Sequence, residues 1–183
     1  MRGGARVLQL RAKDRGSAAF LQLAEALVRA AESFGARVIV NDRADIARLS
    51  GAAGVHVGQD DLPVAAVRAI VGRSAVVGLS THEPEQIDDA LASEATYIAV
   101  GPIYTTSTKD TGYTARGLDL VRLASNRGKP VVAIGGITLE RAPEVIAAGA
   151  SAVAVISDLL TTGDVEGRTR AFLAALPPRP FKV

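Results

Sequence analysis

The sequence predicts an α/β fold: a (β/α)8 barrel in which seven strands can be counted and the first β/α unit is missing. A short β-branched run, a polar break and an amphipathic segment recur seven times along the 183 residues. Hydrophobic residues make up 48% of the chain and aromatic residues only 4%, which is typical of strands buried on both faces and covered by helices. Polar residues follow nearly every run, as in barrels whose sites are built from many βα loops.

An open, doubly wound sheet is the alternative architecture. No glycine-rich dinucleotide fingerprint follows the first run, which weakens that alternative. A complete barrel has eight units and usually about 250 residues, whereas this chain shows seven units and begins with Met1–Gly4, which resembles the end of a helix. We therefore expect a single barrel domain over residues 1–183 that lacks its first strand and most of its first helix.

The seven strands are predicted from short runs rich in valine and isoleucine, which favour β-structure. Because helical segments rather than tight hairpin turns separate these runs, we expect the strands to pair in parallel. The runs are Arg6–Leu10, Arg37–Val40, Val55–Val57, Ala75–Leu79, Tyr97–Val100, Val131–Ile134 and Ala152–Ile156.

The helices are predicted from apolar residues that recur at three- and four-residue spacing. Glycines that suit helix C-caps follow several segments, at positions 35, 51, 72, 128 and 149. The predicted helical segments are Ser17–Ser33, Pro63–Val71, Glu83–Leu91, Leu118–Asn126, Leu139–Ala148 and Val165–Leu176.

Composition excludes several classes of protein. The 21 basic and 19 acidic residues nearly balance, and no aromatic–basic stripe offers nucleic acid a stacking platform. The absence of cysteine excludes disulfides and thiolate chemistry. Apolar stretches fall well short of the ~20 residues that span a membrane, and the N-terminus lacks the apolar core of a signal peptide. We expect a soluble, cytoplasmic protein.

Three polar residues alternate at the end of the first strand, namely Gln9, Arg11 and Lys13. Alternation places them on one face of a strand, here the inward face. Two cations and an amide that point the same way suit a diphosphate. The alternative is an ordinary solvated strand end.

Acidic residues follow the next two strands. Asn41 and Asp42 come after the second, and Asp60 and Asp61 after the third. Carboxylates at neighbouring strand ends could share Mg²⁺, which takes one or two carboxylates together with waters and substrate phosphates. The alternative is helix capping, with Asp42 capping a helix from Arg43 and Asp61 one from Pro63.

Ser80 follows the fourth strand and could donate a hydrogen bond to a phosphate. Alternatively, it could cap the next helix, with Glu83 completing a capping box. His56 lies within a strand, where a hydrogen-bonded structural role is the commoner one. His82 lies just past a strand, but the sequence shows no partner for it.

Hydroxyls and glycines follow the later strands. Three hydroxyl side chains and a lysine come soon after the fifth strand and suit phosphate oxygens. Gly135-Gly136 and Ile156-Ser157 follow the last two strands, which is the usual place of a phosphate site in barrels. The alternative for the last two segments is a pair of tight turns. The hydroxyl and lysine residues are Thr106, Ser107, Thr108 and Lys109.

These motifs, taken together, resemble the thiamine phosphate synthase family. Any one of them is weak, but all seven occur in the family's order, and they span essentially the whole chain. The motifs are QLRAK (9–13), ND (41–42), HVGQDDLP (56–63), GLS (78–80), GPIYTTSTK (101–109), AIGGI (133–137) and AVIS (154–157).

The resemblance implies a barrel enzyme that joins 4-amino-5-hydroxymethyl-2-methylpyrimidine diphosphate to 4-methyl-5-(2-phosphoethyl)thiazole, giving thiamine phosphate and diphosphate. It also implies a role for each site residue. For the pyrimidine diphosphate, the resemblance implies binding and leaving-group stabilisation by Arg11, Lys13 and Lys109, and further contacts by Gln9, Asn41 and Ser80. It implies that Asp42 and Asp61 ligate Mg²⁺. For the thiazole phosphate partner, it implies contacts by Thr106, Ser107 and Thr108, and binding of the phosphate by Gly136, Ile156 and Ser157.

The chain departs from the family pattern in three places. Ala12 replaces a glutamate, although strand alternation should point residue 12 away from the site. Segment 110–117 differs from the family's proline-containing loop. The missing first unit would leave the first and last strands each without a neighbour. Either that segment was lost from the sequence, or another chain covers the gap, or the barrel is incomplete. Two other functions stay open: a thiazole tautomerase that uses a histidine near His82, and a non-catalytic phosphate-binding relative.

Overall fold

Seven parallel strands form one sheet, in which the spatial order of the strands is their order along the chain. The structure is a computed structural model and describes residues 1–106 and 112–177. All seven predicted strands are present, although the last one, predicted over Ala152–Ile156, is a strand only over Ala152–Val153. The strands are β1 Val7–Leu10, β2 Arg37–Asn41, β3 Gly54–Val57, β4 Val76–Thr81, β5 Tyr97–Val100, β6 Val131–Ala133 and β7 Ala152–Val153.

Helices follow the strands, and the six predicted helical segments are confirmed with small changes at their ends. The helix expected after Asp42 is present as α2, whereas the four-residue α7 was not predicted. The helices are α1 Ser17–Glu32, α2 Ala44–Ser50, α3 Val64–Val71, α4 Pro84–Ala92, α5 Gly117–Ala124, α6 Ala142–Ala147, α7 Ser157–Leu160 and α8 Val165–Ala175. In the described part of the chain, none of them is long and apolar enough to cross a membrane.

The two faces of the sheet form different cores. Outward-facing strand residues such as Val40 and Val55 pack against α1, α2 and α3, and Ile98 and Val131 pack against α4, α5 and α6. Inward-facing residues form a smaller third cluster. This inner cluster consists of Ile39, Val76, Tyr97, Ala99 and Val132. Burial on both faces explains why the strands read as continuous apolar runs.

The sheet curls into a half-barrel that stays open between its first and last strands. β1 pairs with β2, and β7 pairs with β6. Within residues 1–106 and 112–177, no strand pairing joins β7 to β1. The seven-stranded barrel architecture expected from the sequence is thus confirmed, with β1 and β7 as its two edges.

Candidate functional site

The strand register shows which polar side chains face the inside of the half-barrel. Residues paired across parallel strands share a face of the sheet. Gln9 pairs with Ile39, and Ser80 pairs with Ala99, and both of these partners belong to the inner cluster. Asn41 lies two residues beyond Ile39 and therefore faces inward as well. Three of the predicted substrate contacts thus share one face.

The basic residues that follow β1 lie on the same side of the chain as Gln9. Leu10 and Ala12 pack against the outer cluster that contains residues of α1. Arg11 lies between them in the chain and therefore turns toward the inner face. Lys13 lies in the turn that follows and reaches the carboxylate of Asp42 at the end of β2. Both cations are exposed. The expectation that Ala12 points away from the site is confirmed, so its replacement of a glutamate falls on the helix side.

Asp42 is held at the end of β2 in an uncommon backbone conformation. Its φ angle is 64°, which costs a non-glycine residue about 1–2 kcal/mol. Its backbone N–H donates to the His56 carbonyl at 2.8 Å, and its carboxylate accepts from Lys13 Nζ at 3.0 Å. The capping alternative is wrong, because α2 begins at Ala44 after Arg43 and has no side-chain cap.

Asp61 forms a turn directly after β3. Its Oδ2 accepts a hydrogen bond from the Gly58 backbone N–H at 2.7 Å. Capping is again wrong, because Pro63 holds the position before α3 and no side chain caps that helix. The described residues give Oδ1 of Asp61 no hydrogen-bond partner, so this oxygen remains available as a ligand atom.

The two carboxylates fit Mg²⁺ in their chemistry and in their placement at neighbouring strand ends. Mg²⁺ prefers oxygen donors and commonly keeps waters and substrate phosphates in its coordination sphere. No group of three or more histidine, cysteine, aspartate or glutamate side chains that could hold a metal occurs in the described residues. Metal held by Asp42 and Asp61 would therefore depend on water and on substrate oxygens.

Ser80 lies inside β4 and is the last member of a buried series of hydrogen bonds that also includes His56 and Tyr97. Its Oγ lies 2.8 Å from His56 Nε2, and His56 Nδ1 lies 2.9 Å from the Tyr97 hydroxyl. The capping box is wrong, because Glu83 rather than Ser80 precedes α4. A structural role for His56 fits its burial and its two bonded nitrogens, while burial raises the pKa of the Tyr97 phenol.

Gly78 leaves space for the His56 and Tyr97 rings that form these hydrogen bonds. A Cβ at position 78 would lie 2.4 Å from His56 Nδ1 and 2.2 Å from Cζ of Tyr97. No real Cβ comes so close to either atom, so any larger residue would displace one of the rings. The glycine in the GLS motif thus has a packing reason that the sequence does not reveal.

His82 holds together the two ends of the segment that joins β5 to α5. Its Nδ1 lies 2.5 Å from the Gly101 carbonyl, and its ring stacks on Tyr113 at 4.3 Å. Arg116 lies over the same Tyr113 ring and forms an ion pair with Glu83 at 3.0 Å. The predicted contacts Ser107, Thr108 and Lys109 lie in this segment but outside the described residues.

The segment that carries Thr106 packs against the glycine turn after β6. The Tyr104 N–H donates to the Gly135 carbonyl at 3.1 Å. Gly136 has a φ of 64°, and a Cβ there would lie 2.6 Å from the Thr105 carbonyl oxygen. The structure therefore brings the neighbourhoods of Thr106 and Gly136 together.

Tyr104 ties this segment to the start of α6. Its hydroxyl donates to Glu144 Oε1 at 2.5 Å, and Arg141 lies over its ring at 4.5 Å. Burial and the bond to Glu144 raise the pKa of Tyr104 to about 12. Tyr104 is thus a neutral donor at every physiological pH.

Ile156 and Ser157 lie at the start of α7 and are exposed. The next residue, Asp158, is buried and accepts two hydrogen bonds from Arg168, at 2.9 and 3.0 Å. Arg168 also reaches Glu140 at 3.3 Å. Arg168 therefore joins α7 to the loop between β6 and α6, and the sequence offered no signal for this link.

By the strands whose ends they occupy, the predicted site residues that the structure describes divide into two sets at the carboxyl edge of the sheet. Gln9, Arg11, Lys13, Asn41, Asp42, Asp61 and Ser80 occupy the ends of β1 to β4. Thr106, Gly136, Ile156 and Ser157 follow β5 to β7. The first set combines cations with carboxylates, whereas the second contains two hydroxyl residues, a glycine and an isoleucine.

Comparison with known proteins points in one direction. The family model described as thiamine monophosphate synthase matches residues 1–159. A putative thiamine-phosphate synthase of Geobacter sulfurreducens is 42% identical over 97% of this chain and 84% of its own length. A thiamine-phosphate synthase of Mycolicibacterium smegmatis is 44% identical over 95% of this chain and 81% of its own length.

Comparison with solved structures agrees with the sequence comparisons. The thiamine phosphate pyrophosphorylase of Pyrococcus furiosus superposes with a TM-score of 0.88 at 28% identity, covering 95% of this chain and 84% of that one. A 3-hexulose-6-phosphate synthase superposes with a TM-score of 0.72 at 18% identity, covering 95% of this chain and 88% of that one, which shows the barrel fold alone. On the match of its sequence, the chain belongs to the thiamine monophosphate synthase family.

Proposed function

We propose that this chain condenses 4-amino-5-hydroxymethyl-2-methylpyrimidine diphosphate with 4-methyl-5-(2-phosphoethyl)thiazole, yielding thiamine phosphate and diphosphate. The observation that carries the proposal is the register of β1 to β4. It turns Gln9, Asn41 and Ser80 to one face, beside the ion pair between Lys13 and Asp42. Membership of the synthase family supports the same reaction.

The residues suit a dissociative reaction in which diphosphate leaves before the new bond forms. The carbon–oxygen bond to diphosphate breaks with both electrons on oxygen, and the cation that remains is stabilised by the aminopyrimidine. The thiazole nitrogen then donates its electron pair to that carbon. Such a reaction needs positioning and stabilisation of charge rather than a protein nucleophile.

Each part of the chain has a role in this proposal. Arg11 and Lys13, with Lys109, neutralise the charge on the departing diphosphate. Asn41 and Ser80 orient the diphosphate, and Gln9 contacts the same substrate. Thr106, Ser107 and Thr108 contact the second substrate, whose phosphate is bound by Gly136, Ile156 and Ser157.

We also propose Mg²⁺ as the cofactor, held by Asp42 and Asp61. When bound, the ion would supply positive charge to the diphosphate leaving group. The support is the pair of carboxylates at neighbouring strand ends. A cytoplasmic location and a homo-oligomeric state remain predictions from the sequence.

The test is a product assay with both substrates and Mg²⁺. We expect thiamine phosphate and diphosphate in equal amounts, no product when either substrate is omitted, and loss of product after chelation of the metal. Asp42→Asn should need more Mg²⁺ for half-maximal rate, while Asp45→Asn, at an exposed position in the first turn of α2, should not. A protein that isomerises a thiazole phosphate without pyrimidine diphosphate or metal would be a tautomerase, and the proposal would be wrong.

A further inference from the structure

Three buried side chains connect three strands inside the half-barrel and end at a predicted substrate contact. Tyr97 in β5 lies 2.9 Å from His56 Nδ1, and His56 Nε2 lies 2.8 Å from Ser80 Oγ. All three residues are at most 7% exposed. A histidine whose two nitrogens have different partners has its tautomer fixed by those partners.

The phenol decides which nitrogen carries the proton. A neutral imidazole has a single acceptor nitrogen, and the phenol and the serine hydroxyl both compete to donate to it. A phenol, with an ordinary pKa near 10, is a stronger acid than an aliphatic alcohol and therefore the stronger donor. Burial raises the pKa of the Tyr97 phenol, because it disfavours the charged phenolate, so the phenol stays protonated and can donate. Its hydrogen bond to Nδ1 leaves the imidazole proton on Nε2.

The Nε2 proton in turn decides what the serine hydroxyl can do. Because Nε2–H donates to Ser80 Oγ, that oxygen serves as acceptor and its own proton points elsewhere. The described residues give the Ser80 hydroxyl no acceptor besides the imidazole. Its O–H is therefore set to donate to an anionic ligand at the strand ends. The opposite tautomer would turn the hydroxyl toward the histidine and away from the ligand.

We propose that His56 and Tyr97 are positioning residues that hold the Ser80 hydroxyl as a hydrogen-bond donor to the diphosphate of the pyrimidine substrate. This inference rests on the proposed function for the identity of the ligand. Gly78 is required for the same arrangement of Tyr97, His56 and Ser80, since a Cβ at position 78 would lie 2.4 Å from both His56 Nδ1 and the Tyr97 hydroxyl oxygen. Neither His56 nor Tyr97 needs to touch the substrate.

The tautomer can be measured without any ligand or variant. The chain has 2 histidines, so ¹⁵N-labelled histidine gives two sets of ring signals that long-range proton–nitrogen correlation can assign. We expect the Nε2–H form for His56 in the unmodified protein. In Tyr97→Phe we expect a shift toward the Nδ1–H form, with the signals of His82 unchanged as an internal control. An Nδ1–H form in the unmodified protein overturns the inference.

Binding of the pyrimidine diphosphate provides the second measurement. Tyr97→Phe should weaken binding about tenfold, as expected for one lost hydrogen bond to a charged group. The same change should have no effect in a Ser80→Ala background, since the hydroxyl that it redirects is gone. Full additivity of the two substitutions overturns the inference. If Ser80→Ala alone leaves binding unchanged while His56 still shows the Nε2–H form, the diphosphate assignment fails instead.

Discussion

Lys13 is the residue at which the charge balance of the site can be tested most directly. Its ammonium pairs with Asp42 at 3.0 Å, and its side chain is 49% exposed, so this pair adds little to stability. We expect Lys13→Met to weaken binding of the pyrimidine diphosphate about 10- to 100-fold, because the variant removes the charged hydrogen bond that we propose between Lys13 and the leaving group. Calorimetric titration with the substrate measures the change.

The matched control for Lys13→Met is Arg29→Met, which removes one positive charge from the exposed last turn of α1. Both variants should unfold at nearly the same temperature as the unmodified protein. Equal losses of affinity in the two variants would mean that net charge, rather than a contact by Lys13, attracts the substrate.

Gly78 shows how a residue without a side chain can shape the site. We expect Gly78→Ala to destabilise the fold by about 1–3 kcal/mol, as overpacking does, because its methyl would meet His56 and Tyr97. Gly16→Ala is the control, since nothing lies within 4 Å of its Cβ position. Chemical denaturation measures both, and an equally small loss in both would show that the rings adjust freely.

Sequence reasoning succeeded for residues whose side-chain direction follows from strand alternation. Gln9 and Arg11 are the example, because a period of two fixes their face. Lys13 lies in the turn beyond the strand and is placed by its ion pair with Asp42. Sequence reasoning could not find the pairing of His56 with Tyr97, since the two residues are separated by 41 positions and meet only through the register of β3, β4 and β5. It also could not exclude capping at Asp42. The structure does so, because α2 begins at Ala44 without a side-chain cap, and ligation of Mg²⁺ by Asp42 stays a prediction.

At the scale of elements, the strands were predicted well because burial on both faces leaves an uninterrupted apolar signal. The ends of the helices follow less closely from the sequence than the strands do. The fourth-strand helix α4 begins after Glu83 rather than at it, and α7 has only four residues, too few to show a helical period. Short elements of this kind are specified by tertiary contacts, here the pairing of Asp158 with Arg168.

Arg68 connects α3 by hydrogen bonds to residues at the amino-terminal ends of β4 and β5. Its guanidinium donates to the carbonyls of Glu94 and Ala75 and to Oγ1 of Thr96. In barrels this end of the sheet serves stability, whereas the opposite end carries the site. The positions of these contacts therefore predict a residue that matters for folding and not for turnover.

We expect Arg68→Met to lower the free energy of unfolding by about 2–3 kcal/mol, because several carbonyls lose a charged donor. For a chain of this size that corresponds to a fall in Tm of about 4–12 °C. Affinity for the pyrimidine diphosphate should stay unchanged at a temperature where the variant is folded. Scanning calorimetry and titration separate the two effects, and a loss of affinity without a loss of stability would contradict this division of the barrel.

At the scale of the whole molecule, the open side of the half-barrel puts the predicted diphosphate contacts next to an edge. β1 carries Gln9 and leads into Arg11 and Lys13, yet among the described strands it pairs with β2 alone. Edge strands open more readily than central ones, because fewer backbone hydrogen bonds hold them. A ligand that contacts residues of β1 and β4 together would join this edge to the body of the sheet.

Ligand binding should therefore stabilise the entire chain against heat. Inorganic diphosphate with Mg²⁺ at about 100 times its Kd should add about 2.7 kcal/mol, which corresponds to a rise in Tm of about 5–11 °C. Arg11→Ala should lose most of that rise, because it removes the contact to diphosphate that we propose for Arg11. Arg68→Met should start from a lower Tm but keep the full rise, since its contacts lie at the other end of the barrel. Scanning calorimetry decides: a rise of the same size in Arg11→Ala, or an equal rise with sulfate in place of diphosphate, would show that the strand ends of β1 to β4 do not form a diphosphate site.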